Sequence, residues 1–169
     1  MSCKYYLNVY SSDMYKIMLK PFDWIKLFVD LVFSTRVRIS GPSMEPSMFK
    51  DDLVLATKSR HRMTKLKQGD IIFFHHPDTK IDYVKRIVAI HKDVVKFSAN
   101  NLTITSPDGG ENTLYSHGKS SNIRESIIKE KEFFVLGDNY NKSTDSRVFG
   151  TIQYEWIMGV IWHKYYSAK

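Results

Sequence analysis

Cysteine is almost absent from this chain: Cys3 is the only one in 169 residues, and it lies in the N-terminal tail. That excludes an intrachain disulfide, a cysteine-built metal site and a plausible thiol nucleophile. Long uninterrupted apolar runs are also missing. The most apolar stretch, Ile17 to Val37, is broken by Lys20, Pro21, Asp23, Lys26 and Asp30, which makes it a poor spanning helix on hydropathy. The N-terminus lacks the charged, apolar and small-residue layout of a cleaved export leader. No repeat and no low-complexity tract occurs. Acidic residues are outnumbered, 18 against 25 basic ones, for a formal charge of +7. Such a balance favours an anionic partner, nucleic acid or membrane headgroups, without choosing between them.

What is present is apolar and aromatic enough for one folded domain, with 43% hydrophobic and 14% aromatic residues. Residues 1–16 read as a tail and 17–36 as a helix. Within that helix Trp24, Leu27, Phe28, Leu31 and Val32 follow helical spacing and form one apolar stripe, a pattern that suits a helix lying at a membrane interface better than one crossing it. Basic residues flank both sides of the helix, so charge gives no orientation. From residue 37 to 169 the texture changes to short β-rich runs: RVRIS, DLVLAT, DIIFFHH, YVKRIVAI, VVKFSA, LTITS, FFVLG and VIWHKYY. The predicted fold class is mainly β. Gly69-Asp70 and Pro107-Asp108-Gly109-Gly110 are turn signals, the second marking a hairpin. Composition turns polar between Asn112 and Lys131, which suggests a small cap inserted at about residues 98–131.

Candidate chemistry begins at Ser43. It stands in Ile39-Ser40-Gly41-Pro42-Ser43-Met44-Glu45-Pro46, at the exit of a strand-like run. A serine hydroxyl is scarcely ionised near neutral pH and needs a base. None of the six histidines sits beside an evident Asp partner, and His75-His76 lacks helical metal-site spacing. Lysine is the alternative base, provided burial or nearby positive charge lowers its pKa. Lys85 lies in Ile81-Asp82-Tyr83-Val84-Lys85-Arg86-Ile87-Val88, where period-2 alternation puts Tyr83, Lys85 and Ile87 on one face. On its own, a lysine in an apolar strand is usually an edge or snorkelling residue.

The Ser-Met segment followed by a Lys-Arg strand resembles two groups of Ser-Lys peptidases: type I signal peptidases and self-cleaving repressors. A third block, Gly137-Asp138-Asn139-Tyr140-Asn141-Lys142-Ser143-Thr144-Asp145-Ser146-Arg147-Val148-Phe149-Gly150, is similar to the signal peptidase signature GDNxxxSxDSRxxG, which the repressors lack. Gly69-Asp70-Ile71 also matches that family's strand opening, so the resemblance covers Ile39 to Trp162. It implies a signal-peptidase-like β catalytic domain with Ser43 as nucleophile, Lys85 as general base and Ser143 orienting the lysine amine. It further implies an Arg86–Asp138 pair and an Asp145–Arg147 pair supporting the site, with the Ser43 N–H in the oxyanion hole. Some members carry a hydroxyl two residues before the nucleophile, where this chain has Gly41. Tyr140 replaces a frequent arginine, and His91-Lys92-Asp93 stands where Pro-Gly-Asp is common.

The implied reaction is removal of signal peptides from exported preproteins, without cofactor or metal. The implied partners are preprotein signal peptides and membrane lipid, not nucleic acid. The implied location is a bacterial plasma membrane, with the catalytic domain on the extracytoplasmic side. Two rivals are weaker. A repressor-like peptidase needs a DNA-binding module, and the residues before Ile39 hold no helix-turn-helix pattern. A non-enzymatic β domain at a membrane surface would have no use for the intact Ser43, Lys85 and Ser143.

Overall fold

The computed structural model describes residues 21–98, 101–115 and 125–168. The tail expected over residues 1–16 and the first part of the expected helix lie outside them. Helix α1 runs Pro21–Val32 and strand β1 Ser34–Arg38, so the helix does not extend to residue 36. Thr35 and Val37 are β-branched, and Ser34–Arg38 pairs antiparallel with β2, Leu53–Thr57, which draws this segment into the sheet instead. No helix among the described residues is long and apolar enough to cross a membrane.

The remaining elements are α2 (Arg60–Met63), β3 (Ile71–His76), β4 (Ile81–Ala89), β5 (Val94–Ser98), β6 (Asn101–Thr105), β7 (Glu111–Tyr115), β8 (Glu125–Ile127), β9 (Glu132–Leu136), α3 (Ser146–Phe149), β10 (Ile152–Gln153) and β11 (Ile157–Tyr166). They form a seven-stranded sheet of order β1-β2-β11-β3-β4-β9-β10 and a four-stranded sheet of order β7-β6-β5-β8. Every pairing is antiparallel. The smaller sheet begins at Val94, a few residues before the expected cap. The Pro107 to Gly110 turn joins β6 to β7: Gly109 takes a φ of +86°, and the Ser106 N–H donates to the Gly110 carbonyl.

Strand β9 welds the two sheets together. Alternation sends Phe133 and Val135 into one cluster with Ile72, Phe74, Ile87 and Val160, and sends Phe134 and Leu136 into another with Ala89, Val95, Leu102 and Ile104. A third cluster, Ile39, Met44, Met48 and Val54, seats the turn that follows β1.

Helix α1 is turned inside out. Asp30 is buried, and its carboxylate accepts hydrogen bonds from Ser59 Oγ and, at 2.6 Å, from Arg62 Nε, with His61 Nε2 at 3.3 Å. The Ser34 hydroxyl donates to the Asp30 carbonyl and accepts from Trp162 Nε1 at 2.8 Å. Trp24, Ile25, Phe28, Leu31 and Val32 face outward, each more than half exposed.

Candidate active site

Ser43 sits in a single 3-10 turn, Pro42–Met44, immediately after the β1 strand exit. Pro42 presets the first position of that turn, and buried Met44 pins it to the core. Alternation in β4 puts Lys85 on the buried face with Ile87 and Ala89, and the lysine is only 2% exposed. Lys85 Nζ lies 2.7 Å from Ser43 Oγ, within hydrogen-bond reach. The strand register that makes this possible pairs Ile72 with Lys85 and Ile71 with Arg86.

Burial drives the Lys85 pKa down from 10.5 to about 8, chiefly by stripping water from the ammonium. Asp145 and Asp138 oppose this by favouring the charged form, while the positive charge of Arg147 adds to the depression. Tyr83 presents its ring 5.6 Å from the lysine nitrogen.

Arg86, the next residue along β4, points to the opposite face. Its Nε and Nη2 donate to the two oxygens of Asp138 at 2.8 and 2.7 Å, Nη1 donates to the Gly69 carbonyl, and Nη2 also reaches Ser47 Oγ. This forked contact ties the β4 strand to the segment after β9 and to the turn that follows Ser43.

Ser143 is buried at the end of the Tyr140–Lys142 turn. The loop carrying it is held from both ends. The Asn139 N–H donates to the Ser43 carbonyl at 3.0 Å. Asp145, fully buried, caps α3 and accepts from the Gly137 N–H, the Arg147 N–H, Arg147 Nε and Arg147 Nη2. Arg147 Nη2 also donates to the Tyr140 carbonyl. At Gly137 a methyl group would stand 2.3 Å from Ser143 Oγ and 2.5 Å from the Ser43 carbonyl oxygen, so only glycine lets these two segments meet.

An open groove of about 500 Å³ runs past the pair. Val37, Ile39, Met44, Phe73, Tyr83 and Val84 supply apolar walls, with Thr144 at the same groove. These lining residues were not assignable from sequence, because β1 and β4 face each other only in the folded sheet. At Gly41 an added Cβ would meet nothing within 4 Å. Ser43, Lys85, Ser143, Arg86, Asp138, Asp145 and Arg147 thus converge on one end of the larger sheet. Among the described residues no cluster of His, Cys, Asp and Glu could hold a metal ion.

A family model described as signal peptidase, peptidase S26, matches residues 16–166. The chain belongs to that family. Its relatives include signal peptidase I V of Bacillus subtilis strain 168, 27% identical over 166 residues that cover 85% of this chain and 98% of the relative. Signal peptidase IB of Staphylococcus aureus strain Mu50 is 26% identical over 144 residues, 75% of each chain. A solved structure of a signal peptidase I from Enterococcus faecalis V583 is 25% identical, covers 57% of this chain and 96% of that one, and has a TM-score of 0.42. Membership in this family makes the chain a serine peptidase of the signal peptidase I type, a peptide-bond hydrolase.

Proposed function

We propose that Ser43 and Lys85 form the catalytic dyad of a signal peptidase I that cuts signal peptides from exported preproteins. The observation that supports this best is the 2.7 Å contact between the serine hydroxyl and a buried lysine whose pKa is lowered to about 8. A neutral amine at Lys85 accepts the Ser43 proton as Oγ bonds to the scissile carbonyl carbon. The Ser43 N–H, at the start of a tight turn, stabilises the negative charge that develops on the carbonyl oxygen. The C–N bond then breaks, the lysine ammonium returns its proton to the leaving amine, and water, deprotonated by the same lysine, hydrolyses the acyl-enzyme ester.

In this reading Ser143 positions the lysine amine without adding a negative charge that would restore its proton. The Arg86–Asp138 and Asp145–Arg147 pairs support the loop that carries it. The apolar groove walls accept short side chains near the scissile bond. Residues 37–169 form the peptidase unit, the smaller sheet acts as its cap, and α1 associates with the lipid of a bacterial plasma membrane, with the peptidase unit on the extracytoplasmic side.

Cleavage of a soluble signal-sequence peptide across pH tests the dyad. Activity rises with pH through about 8, because the depressed lysine pKa must be passed before the amine is neutral. Ser43→Ala and Lys85→Arg are inactive yet folded, since arginine keeps its proton under these conditions. Substantial turnover by Lys85→Arg alongside a dead Ser43→Ala would keep the serine and require another base.

A further inference from the structure

One buried carboxylate close to the Ser43 loop belongs to none of the pairs described so far. Asp52 ends the stretch that carries Ser43, immediately before β2, and its side chain is fully buried. Its Oδ2 accepts from the Phe49 N–H at 2.9 Å and from Lys164 Nζ at 3.3 Å, and its Oδ1 accepts from Ser167 Oγ at 3.2 Å and from the Ala168 N–H at 2.9 Å. Burial by itself would raise the Asp52 pKa, but the Phe49 and Ala168 N–H groups and the Lys164 ammonium outweigh it and hold it at about 2. The group is therefore an anion at any pH where Lys85 gives up its proton.

These four donors come from two places. Phe49 belongs to the loop that carries Ser43, while Lys164 lies in β11 and Ser167 and Ala168 follow it. The loop is closed at its neck, where the Ile39 N–H donates to the Asp52 carbonyl at 2.9 Å and the Asp51 N–H donates to the Ile39 carbonyl at 2.7 Å. Inside it a short relay leads to the serine: Asp52 holds Phe49, the neighbouring Met48 N–H donates to the Met44 carbonyl at 2.9 Å, and Met44 follows Ser43 directly. Lys164 Nζ also lies 3.5 Å from the Ser47 carbonyl oxygen, and Ser47 Oγ accepts from Arg86, the residue after Lys85. Strands β2 and β11 are already paired along Leu53–Thr57, so the sheet does not need this carboxylate and its hold falls on the loop.

We propose that Asp52 is a positioning residue for Ser43: by clamping the loop at Phe49 to the end of β11, it fixes the serine hydroxyl at its distance from Lys85. This rests on the dyad proposed above and adds a support for it that lies outside the groove. Asp52 is neither among the described residues that line the groove nor among the charges that shift Lys85. Its loss alters how often Ser43 stands in line for reaction, not how tightly peptide binds or where Lys85 titrates. Misplacement of a reacting group by about 1 Å costs on the order of a hundredfold in rate.

The test labels the full chain with a serine-reactive acylating probe, reading rate and final stoichiometry separately, beside steady-state cleavage of a soluble signal-sequence peptide. A loss of folded protein alone lowers the stoichiometry and leaves the rate per labelled molecule as in wild type. We expect Asp52→Ala to slow that rate and kcat at least about tenfold, with KM within about twofold and the pH midpoint still near 8. Asp52→Asn, which keeps one acceptor oxygen, lies between the two. Lys164→Met removes a partner whose side chain is 35% exposed, so it leaves the core closed and slows labelling in the same sense by about twofold. A wild-type rate per labelled molecule in the Asp52 variants, or in Lys164→Met should neither of them fold, overturns the proposal. So does a raised KM with unchanged kcat, or a displaced pH midpoint, which would make Asp52 act on peptide or on lysine instead. Labelling and cleavage that persist in Ser43→Ala remove the dyad itself and this support with it, a pattern distinct from the failure of Asp52 alone.

Discussion

Lys85 carries a cost that its neighbours in β4 do not. A lysine that folds with a pKa of about 8 against an ordinary 10.5 binds its proton less tightly in the native chain than in the unfolded one. Below pH 8 both states are protonated and the native state bears the full penalty. Between pH 8 and 10.5 the penalty fades, as the native amine is already neutral while the unfolded one still holds its proton. Lys85→Met, which keeps length and removes the charge, therefore raises stability at pH 7 by about 1–3 kcal/mol while abolishing cleavage. Chemical denaturation at pH 7 and pH 10 checks both the gain and its shrinkage at the higher pH. The candidacy of Ser43 and Lys85 was legible in the sequence from motif and alternation. Asp30 was not: it reads only as a charge interrupting an apolar helix, because its partners Ser59 and Arg62 stand about thirty residues away with no periodic relation to it.

At the level of elements, the segment between β9 and α3 is where two pieces of chain approach most closely. Gly137→Ala forces a methyl group into Ser143 Oγ and the Ser43 carbonyl, and overpacking of this kind costs about 1–3 kcal/mol. Since the displaced atoms belong to the Ser43 turn and to Ser143, the proposed dyad requires turnover to fall far more than the melting temperature does, as steady-state kinetics beside thermal unfolding would show. Asp145→Asn should behave differently. It leaves the fully buried Arg147 guanidinium without its countercharge, a loss of about 3–5 kcal/mol, so stability and activity drop together. An unchanged melting temperature with lost turnover would point instead to a direct chemical role for Asp145. Eight of the strands follow from the short β-rich runs, but β7, β8 and β10 do not. Glu111-Asn112-Thr113-Leu114-Tyr115 and the three residues of β8 have little apolar content and are strands because they pair with β6 and β5. The end of α1 comes earlier than expected for the same reason: residues 34–36 read as helix by continuity and become strand by partnership with β2.

Across the whole molecule, the order of strands in the larger sheet differs from their order in the chain. Ser43 hangs from the β1–β2 side and Lys85 from the β3–β4 side, and the strand bridging those sides is β11, the last of the described strands in chain order. A chain ending at Gln153 lacks that bridge, and it should show neither peptide cleavage nor a cooperative thermal transition. If such a chain retained cleavage, the turn packing around Met44 would be enough to hold the two sides together. Sequence patterning identified β11 as a strand but could not place it between β2 and β3, because strand adjacency across the chain depends on which faces find burial and not on any local signal.

The central position of β11 carries a meaning in time. A chain emerging from the ribosome delivers Ser43 first, Lys85 next and Ser143 later, and the strand that brings the two sides of the sheet into register follows all three. Until it is made, the two residues proposed as nucleophile and base hang from halves of a sheet not yet joined, so on that reading the site is armed no earlier than the sheet is closed.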